Sequence, residues 1–259
     1  MRIFLGCLGS ALAFAAATPA LAQDTAEDKS AFTINGTATV VTDYRFRGIS
    51  QSDKNAAIQG SITLSHESGL YATVWGSSVS GYVTAATTGN TEFDLIAGFK
   101  KTFGGTTVDV GVLYYFYPKS KLPGDRSSSD FIEPYLMVSH TFGPVTGKAT
   151  VAWAPAQKAL ALDQIGPKLS NVYLAGDLSA AIPGTPISLS AHLGHNFGPN
   201  WLVPVPKKGY TDWALGASVT WKALTLGVQY VDTDASPLIT PSGKNASKGG
   251  IVGTLGVSF

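Results

Sequence analysis

From residue 32 onward the chain alternates apolar and polar positions with a period of two. Between 106 and 117, Val108, Val110, Val112, Tyr114 and Phe116 share one side of an extended segment, and Thr107, Asp109, Gly111, Leu113 and Tyr115 share the other. Between 210 and 221, Thr211, Trp213, Leu215, Ala217, Val219 and Trp221 oppose Tyr210, Asp212, Ala214, Gly216, Ser218 and Thr220. Ile187, Leu189, Ala191 and Leu193 oppose Ser188, Ser190, His192 and Gly194 in the same way. The last segment repeats the rhythm, with Ile251, Leu255, Val257 and Phe259 against Val252, Thr254, Gly256 and Ser258. Such alternation predicts strands with one apolar face and one polar or small face. No stretch sustains a helical period, and Gly and Pro recur too often for long helices. Strands are predicted at 32–47, 56–66, 70–79, 91–102, 106–117, 130–142, 146–156, 170–182, 186–196, 210–221, 223–233 and 249–259.

The connections alternate too. Short ones carry turn chemistry: His66-Glu67-Ser68-Gly69, Phe103-Gly104-Gly105, Phe142-Gly143-Pro144, Pro183-Gly184-Thr185-Pro186 and, without Gly or Pro, Trp221-Lys222-Ala223. Long ones, rich in Pro, Gly, Ser, Lys and Asp, fall at 48–55, 80–90, 118–129, 157–169, 197–209 and 234–248. A transmembrane barrel has short periplasmic turns and long outer loops, and with both chain ends in the periplasm six loops and five turns require twelve strands. The predicted fold class is therefore all-β: a transmembrane antiparallel up-and-down β-barrel of about 12 strands, closed because lipid cannot satisfy an open sheet edge. Apolar sets face lipid and polar or small sets face the lumen. Aromatic belts are expected from Tyr44, Phe46, Phe93, Tyr114, Phe116, Phe131, Trp153, Trp213 and Tyr230 on the outer side, and from Phe99, Phe142, Trp221 and Phe259 on the periplasmic side. Mid-strand Trp75 and Tyr173 do not fit either belt.

The N-terminus adds a compartment. Arg2, the apolar run Ile3 to Ala17 and the small-x-small site Ala20-Leu21-Ala22 read as a secretory signal peptide. The expected organisation is residues 1–22 as a cleaved signal, 23–31 as a short periplasmic tail and 32–259 as the barrel. The lone cysteine, Cys7, lies in the signal, so the mature chain has no disulfide and no thiol nucleophile. Removing Arg2 leaves the basic residues equal in number to the 17 acidic ones, which argues against a nucleic-acid partner. Beyond Ala22 nothing approaches the about 18 unbroken apolar residues of a membrane helix.

Thr42-Asp43-Tyr44-Arg45-Phe46-Arg47-Gly48-Ile49-Ser50-Gln51 resembles the opening signature of the TorF-like porins, the Gcw family. The resemblance continues through Ala57-Ile58-Gln59-Gly60, Ser68-Gly69-Leu70-Tyr71, Glu92-Phe93-Asp94-Leu95-Ile96-Ala97-Gly98 and Asp109-Val110-Gly111-Val112-Leu113-Tyr114-Tyr115-Phe116-Tyr117-Pro118. Strand length and rhythm extend it over most of the mature chain. It implies a bacterial outer-membrane barrel with a channel role.

The candidate chemistry is charge inside the lumen. If Tyr44 and Phe46 face lipid, Asp43, Arg45 and Arg47 point inward near the first outer loop. Glu92 and Asp94 point inward at the same height from the fourth strand, and Asp109, Glu133 and Asp212 are further lining candidates, with Lys148 and Asp177. Basic and acidic walls across a narrow bore would filter small hydrophilic solutes by charge; interior ion pairs that plug the barrel are the alternative. Twelve strands lie between a side-chain-filled barrel and an open pore, so a bore blocked by an infolded loop is also allowed. Terminal Phe259 resembles the assembly signal read by the outer-membrane insertion machinery. Expected partners are outer-membrane lipids, that machinery and small solutes; a homo-oligomer is compatible with the sequence. No cofactor or metal is expected: His192 and His195 lack a third ligand. No enzyme is expected either, since Ser139 and His140 face opposite ways and Ser190 with His192 faces the lumen. A receptor or adhesin acting through the loops, or a lipid-modifying enzyme, stand as the rival functions.

Overall fold

The structure is a computed structural model, and it describes residues 30–84, 89–118, 120, 129–161, 166–198 and 209–259. The predicted signal peptide and most of the Pro-rich segment 198–209 lie outside the described residues. Twelve strands form one closed antiparallel barrel: β1 Phe32–Val41, β2 Ala57–His66, β3 Leu70–Ser78, β4 Thr91–Phe103, β5 Thr106–Phe116, β6 Phe131–Phe142, β7 Val145–Gln157, β8 Leu169–Ala181, β9 Ile187–Phe197, β10 Gly209–Trp221, β11 Leu224–Thr233 and β12 Gly250–Ser258. Each strand pairs with its sequence neighbours, and β1 pairs with β12 from Thr37↔Ser258 to Val41↔Thr254. Beyond the ladder, Gly36 and Phe259 exchange backbone hydrogen bonds of 2.8 and 3.0 Å and extend the seam to the last residue.

Alternation determines the faces. Ile34, Ile58, Leu193, Leu215, Leu226, Ile251 and Phe259 are exposed on the outer wall, while Thr107, Asp109, Leu113, Tyr115, Tyr210 and Asp212 are buried inside. A protein cannot leave this much apolar surface in water; the wall is that of a barrel solvated by lipid. Phe93, Tyr114, Phe116, Trp153 and Tyr230 are exposed toward the end carrying the long loops, and Phe99, Phe142, Trp221 and Phe259 toward the end carrying the short turns.

Three expectations need correction. The first strand ends at Val41, not at residue 47, and the chain then turns into the barrel. Tyr44 and Phe46 are therefore buried inside, not set in a belt. Phe131 is also interior: it shares the parity of Glu133 and Tyr135 and stacks on Tyr115, centroids 4.0 Å apart. Trp75 and Tyr173, which fitted no belt, are lumen residues too, each lying against the infolded segment.

Candidate functional site

The segment between β1 and β2 is built as a finger. Arg45–Phe46 and Ile49–Ser50 pair as a two-residue hairpin, closed by Arg47 and Gly48 with φ of 47° and 81°. Two positive φ values match the tight turn that suits paired strands, and Asn or Gly normally supplies the first of them. Arg47 holds that position at a cost of about 1 kcal/mol or more, a strain sustained only when surrounding contacts over-determine it. Gly48 is required twice. Its φ is positive, and a side chain there would meet the Cβ atoms of Asp212 and Thr233 on the barrel wall.

Apolar and polar contacts both hold the finger: Tyr44 packs edge-on against Trp75 and Phe46 against Tyr115, Ile49 is fully buried, and a set of hydrogen bonds and ion pairs fixes the rest. Asp43 braces its base: Oδ2 accepts from Arg45 Nε at 2.6 Å and Oδ1 from Ser50 Oγ at 2.6 Å and Ser52 Oγ at 3.2 Å. Arg45 Nη1 also donates to the carbonyls of Gly48, Ala246 and Lys248. At the tip, Arg47 Nη2 reaches Glu133 Oε1 on β6 at 2.6 Å, and Nη1 lies 3.4 Å from Asn171 Oδ1 on β8 and from Asn196 Oδ1 on β9. The guanidinium lies over the Tyr173 ring at 4.1 Å and over Phe46 at 4.8 Å. Arg47 is 3% exposed and Glu133 0%. Burial opposes the charge on Arg47; Glu133, with Tyr115 and Tyr173, overcomes it and holds the guanidinium above its ordinary pKa. Neighbouring loops seal the finger from above. Tyr82 donates to the Ser50 carbonyl, Thr240 Oγ1 to Asp53 Oδ1 at 2.7 Å, and Lys244 Nζ to the Asp53 carbonyl at 2.8 Å.

Each predicted lining residue can now be placed. Asp43, Arg45 and Arg47 sit on the infolded finger, not on a strand wall. Glu92, Asp94, Asp109, Glu133 and Asp212 face the lumen from β4, β4, β5, β6 and β10. Arg45 and Arg47 are not ranged across open space from acidic residues; both are in direct ion pairs, with Asp43 and Glu133. Asp212 accepts from the Tyr173 hydroxyl at 2.7 and 2.8 Å, and Asp109 from the Tyr71 hydroxyl at 2.8 Å. Sequence reasoning missed Tyr71, Tyr135, Tyr173, Asn171 and Asn196 as site residues. The available signal was parity: Asn171 and Tyr173 share the face of Asp177.

The two halves of the bore differ. In the loop half the charged side chains are buried, as is Asp109 in the turn half. Toward the turn half, Lys148 pairs with Asp177 at 3.1 Å, and the Lys148 side chain keeps 38% of its exposure. His192 Nδ1 meets the same Asp177 at 2.7 Å, and its Nε2 lies 3.0 Å from the Tyr173 hydroxyl. Hydroxyl pairs line this half: Thr37 with Ser61, Thr63 with Thr73, Thr102 with Thr107, Thr141 with Thr146 and Thr220 with Thr225. The turn half of the interior is therefore lined largely by hydroxyl and charged groups, with Tyr71, Tyr135 and Asp109 buried in contact across it, and the finger fills the loop half.

Tyr173 links the finger to this wall, and Gly194 gives it room: a Cβ at Gly194 would collide with the Tyr173 hydroxyl. Gly194→Val is expected to displace Tyr173, unstack Arg47 and loosen the finger. Trypsin should then cut the folded barrel after Arg45, Arg47 or Lys54 at least tenfold faster than wild type, with the barrel still migrating as folded on an unboiled gel.

A family model described as "Bacterial protein of unknown function (Gcw_chp)" matches residues 25–259. The chain belongs to the Gcw_chp family. No curated protein matches it. Among solved structures it is similar to the KdgM porin in complex with disordered oligogalacturonate, at 9% identity and TM-score 0.51, covering 87% of this chain and 97% of that one. It is also similar to a protein from a study of in-meso crystallization of membrane proteins, at 8% identity and TM-score 0.52, covering 87% and 83%. At these identities the likeness is one of fold: Gcw_chp here is an outer-membrane-type barrel.

Proposed function

We propose that this Gcw_chp protein is an outer-membrane channel for small hydrophilic solutes, captured with its outer mouth closed. The observation that carries the reading is the pairing of a hydroxyl-lined interior with an infolded hairpin whose tip is held by one buried ion pair, Arg47 with Glu133. A barrel serving only as a scaffold has no need of a hydroxyl-lined interior beneath an infolded hairpin. The porin fold among its structural relatives and the TorF-like signature at 42–51 support the same reading.

The reading assigns no catalysis. Both ring nitrogens of His192 are engaged, with Asp177 on one side and Tyr173 and Asp212 on the other, and Ser190 Oγ has no hydrogen-bond partner. A Ser nucleophile needs a base within hydrogen-bond reach. Wild-type protein in planar bilayers should show a low baseline broken by brief openings, and liposomes carrying it should admit small sugars slowly. Steady full conductance would refute the closed mouth.

Phe259 belongs to the same proposal as the signal for membrane assembly. Its ring is exposed and adds only about 2–3 kcal/mol of apolar burial in lipid, a small share for a barrel this size. Deleting Phe259 should cut the amount of assembled barrel in cells several-fold. Unchanged outer-membrane levels with a lowered melting temperature would show a purely structural role.

A further inference from the structure

The buried carboxylates of the lumen are not alike. Asp43 faces Arg45, Glu133 faces Arg47, and Asp212 is held by Tyr173 and His192. Asp109, toward the turn half, accepts from the Tyr71 hydroxyl; Glu92 and Asp94 remain. They are 1% and 2% exposed, two residues apart on β4, and therefore on one face about 7 Å apart along the strand. Among the described residues neither forms an ion pair with Lys, Arg or His. Glu92 Oε1 accepts from the Tyr117 hydroxyl at 2.9 Å, but Glu92 Oε2 and Asp94 Oδ1 have no hydrogen-bond partner. Buried carboxylate oxygens without a donor or counter-charge are costly, so such a pair either takes up a proton or holds a partner that supplies positive charge.

The surroundings indicate the kind of partner. Asp94 lies in register between Trp75 on β3 and Tyr115 on β5. Tyr44, carried in on the finger, packs edge-on against Trp75 with centroids 5.6 Å apart. Burial, with Glu92 and Asp94 next, pushes the Tyr44 hydroxyl well above its ordinary pKa; burial and Glu92 do the same to Tyr117. Both phenols therefore stay neutral and offer oxygens beside two carboxylates. No group of three His, Cys, Asp or Glu side chains converges among the described residues. The donor set is two carboxylates completed by hydroxyls. Calcium accepts such mixed, irregular oxygen shells, whereas magnesium requires near-ideal octahedral geometry and retains waters.

We infer that Glu92 and Asp94, with Tyr44 and Tyr117, form a binding site for a hard cation of the calcium class. The finger supplies Tyr44, so a bound cation also ties the finger to β4. The site stands whether or not the barrel conducts, and its test uses no transport readout.

Terbium(III) titrated into the chelator-treated, detergent-folded barrel should luminesce when the aromatic residues are excited, because Trp75, Tyr44 and Tyr115 surround the site. Calcium should displace the signal. Glu92→Gln with Asp94→Asn should lower it at least tenfold, while Glu67→Gln and Asp234→Asn should leave it unchanged. Should the double variant fail to fold, the wild-type melting temperature should still rise with calcium and the rise should shrink in Glu92→Gln alone. Luminescence that calcium does not displace would overturn the site. So would a melting temperature that follows pH but ignores calcium, because the partner would then be a proton.

Discussion

Glu133→Gln is expected to open the barrel. The substitution keeps the shape of the side chain and removes the charge that meets Arg47 at 2.6 Å in a fully buried position. Removing one partner of a buried ion pair costs about 3–5 kcal/mol because the other charge is left uncompensated. The other contacts of Arg47 include the neutral Asn171 and Asn196 at 3.4 Å and the Tyr173 ring, none of which carries a compensating charge. It can recover hydration only if the finger leaves. A loss of about 3 kcal/mol from the closed state corresponds to a more than hundredfold shift toward the open one. Single-channel recording should show open probability rising by about that factor while the barrel stays heat-modifiable on gels. Arg47→Gly should open it less, because glycine takes the positive φ at the turn without strain and Glu133 keeps the Tyr115 hydroxyl at 3.1 Å.

The second large effect comes from removing the finger. Replacing residues 44–51 by two glycines deletes the hairpin and leaves all twelve ladders intact, since none of those residues pairs with a barrel strand. The strand seams and the outward apolar wall, which carry the barrel's stability, are untouched. The variant should assemble at wild-type levels and conduct continuously. Liposome swelling with small sugars should accelerate by at least an order of magnitude. A variant that assembles yet still blocks solutes would place the barrier elsewhere in the bore.

Most of the barrel was legible because a transmembrane strand must alternate: one face meets lipid, the other the lumen, and loop lengths follow from where the chain crosses. The finger was not legible for the same reason. Tyr44, Arg45, Phe46 and Arg47 alternate as a membrane strand does, and a short hairpin obeys the same period. What distinguishes them is the Arg47-Gly48 turn and the Ser50 and Ser52 hydroxyls waiting for Asp43, cues that carry weight only once the chain is known to bend inward. Phe131 was misassigned although its parity with Glu133 already required an inward ring. Glu92, Asp94, Asp109, Glu133 and Asp212 were placed on the lumen face by parity alone. The Arg47–Glu133 pair spans 86 residues, and no local pattern announces a partner that distant.

The central claim is that movement of segment 42–56 opens the mouth. Asp53 and Thr240 touch at 2.7 Å across the segment and the loop that covers it, and the described chain contains no cysteine. Asp53→Cys with Thr240→Cys in a Glu133→Gln background therefore tests it directly by single-channel recording under oxidising and then reducing conditions. Oxidation should hold the mouth closed, and reduction should restore the high open probability of Glu133→Gln. Equal conductance in both states, with the cross-link shown to have formed, would contradict the account.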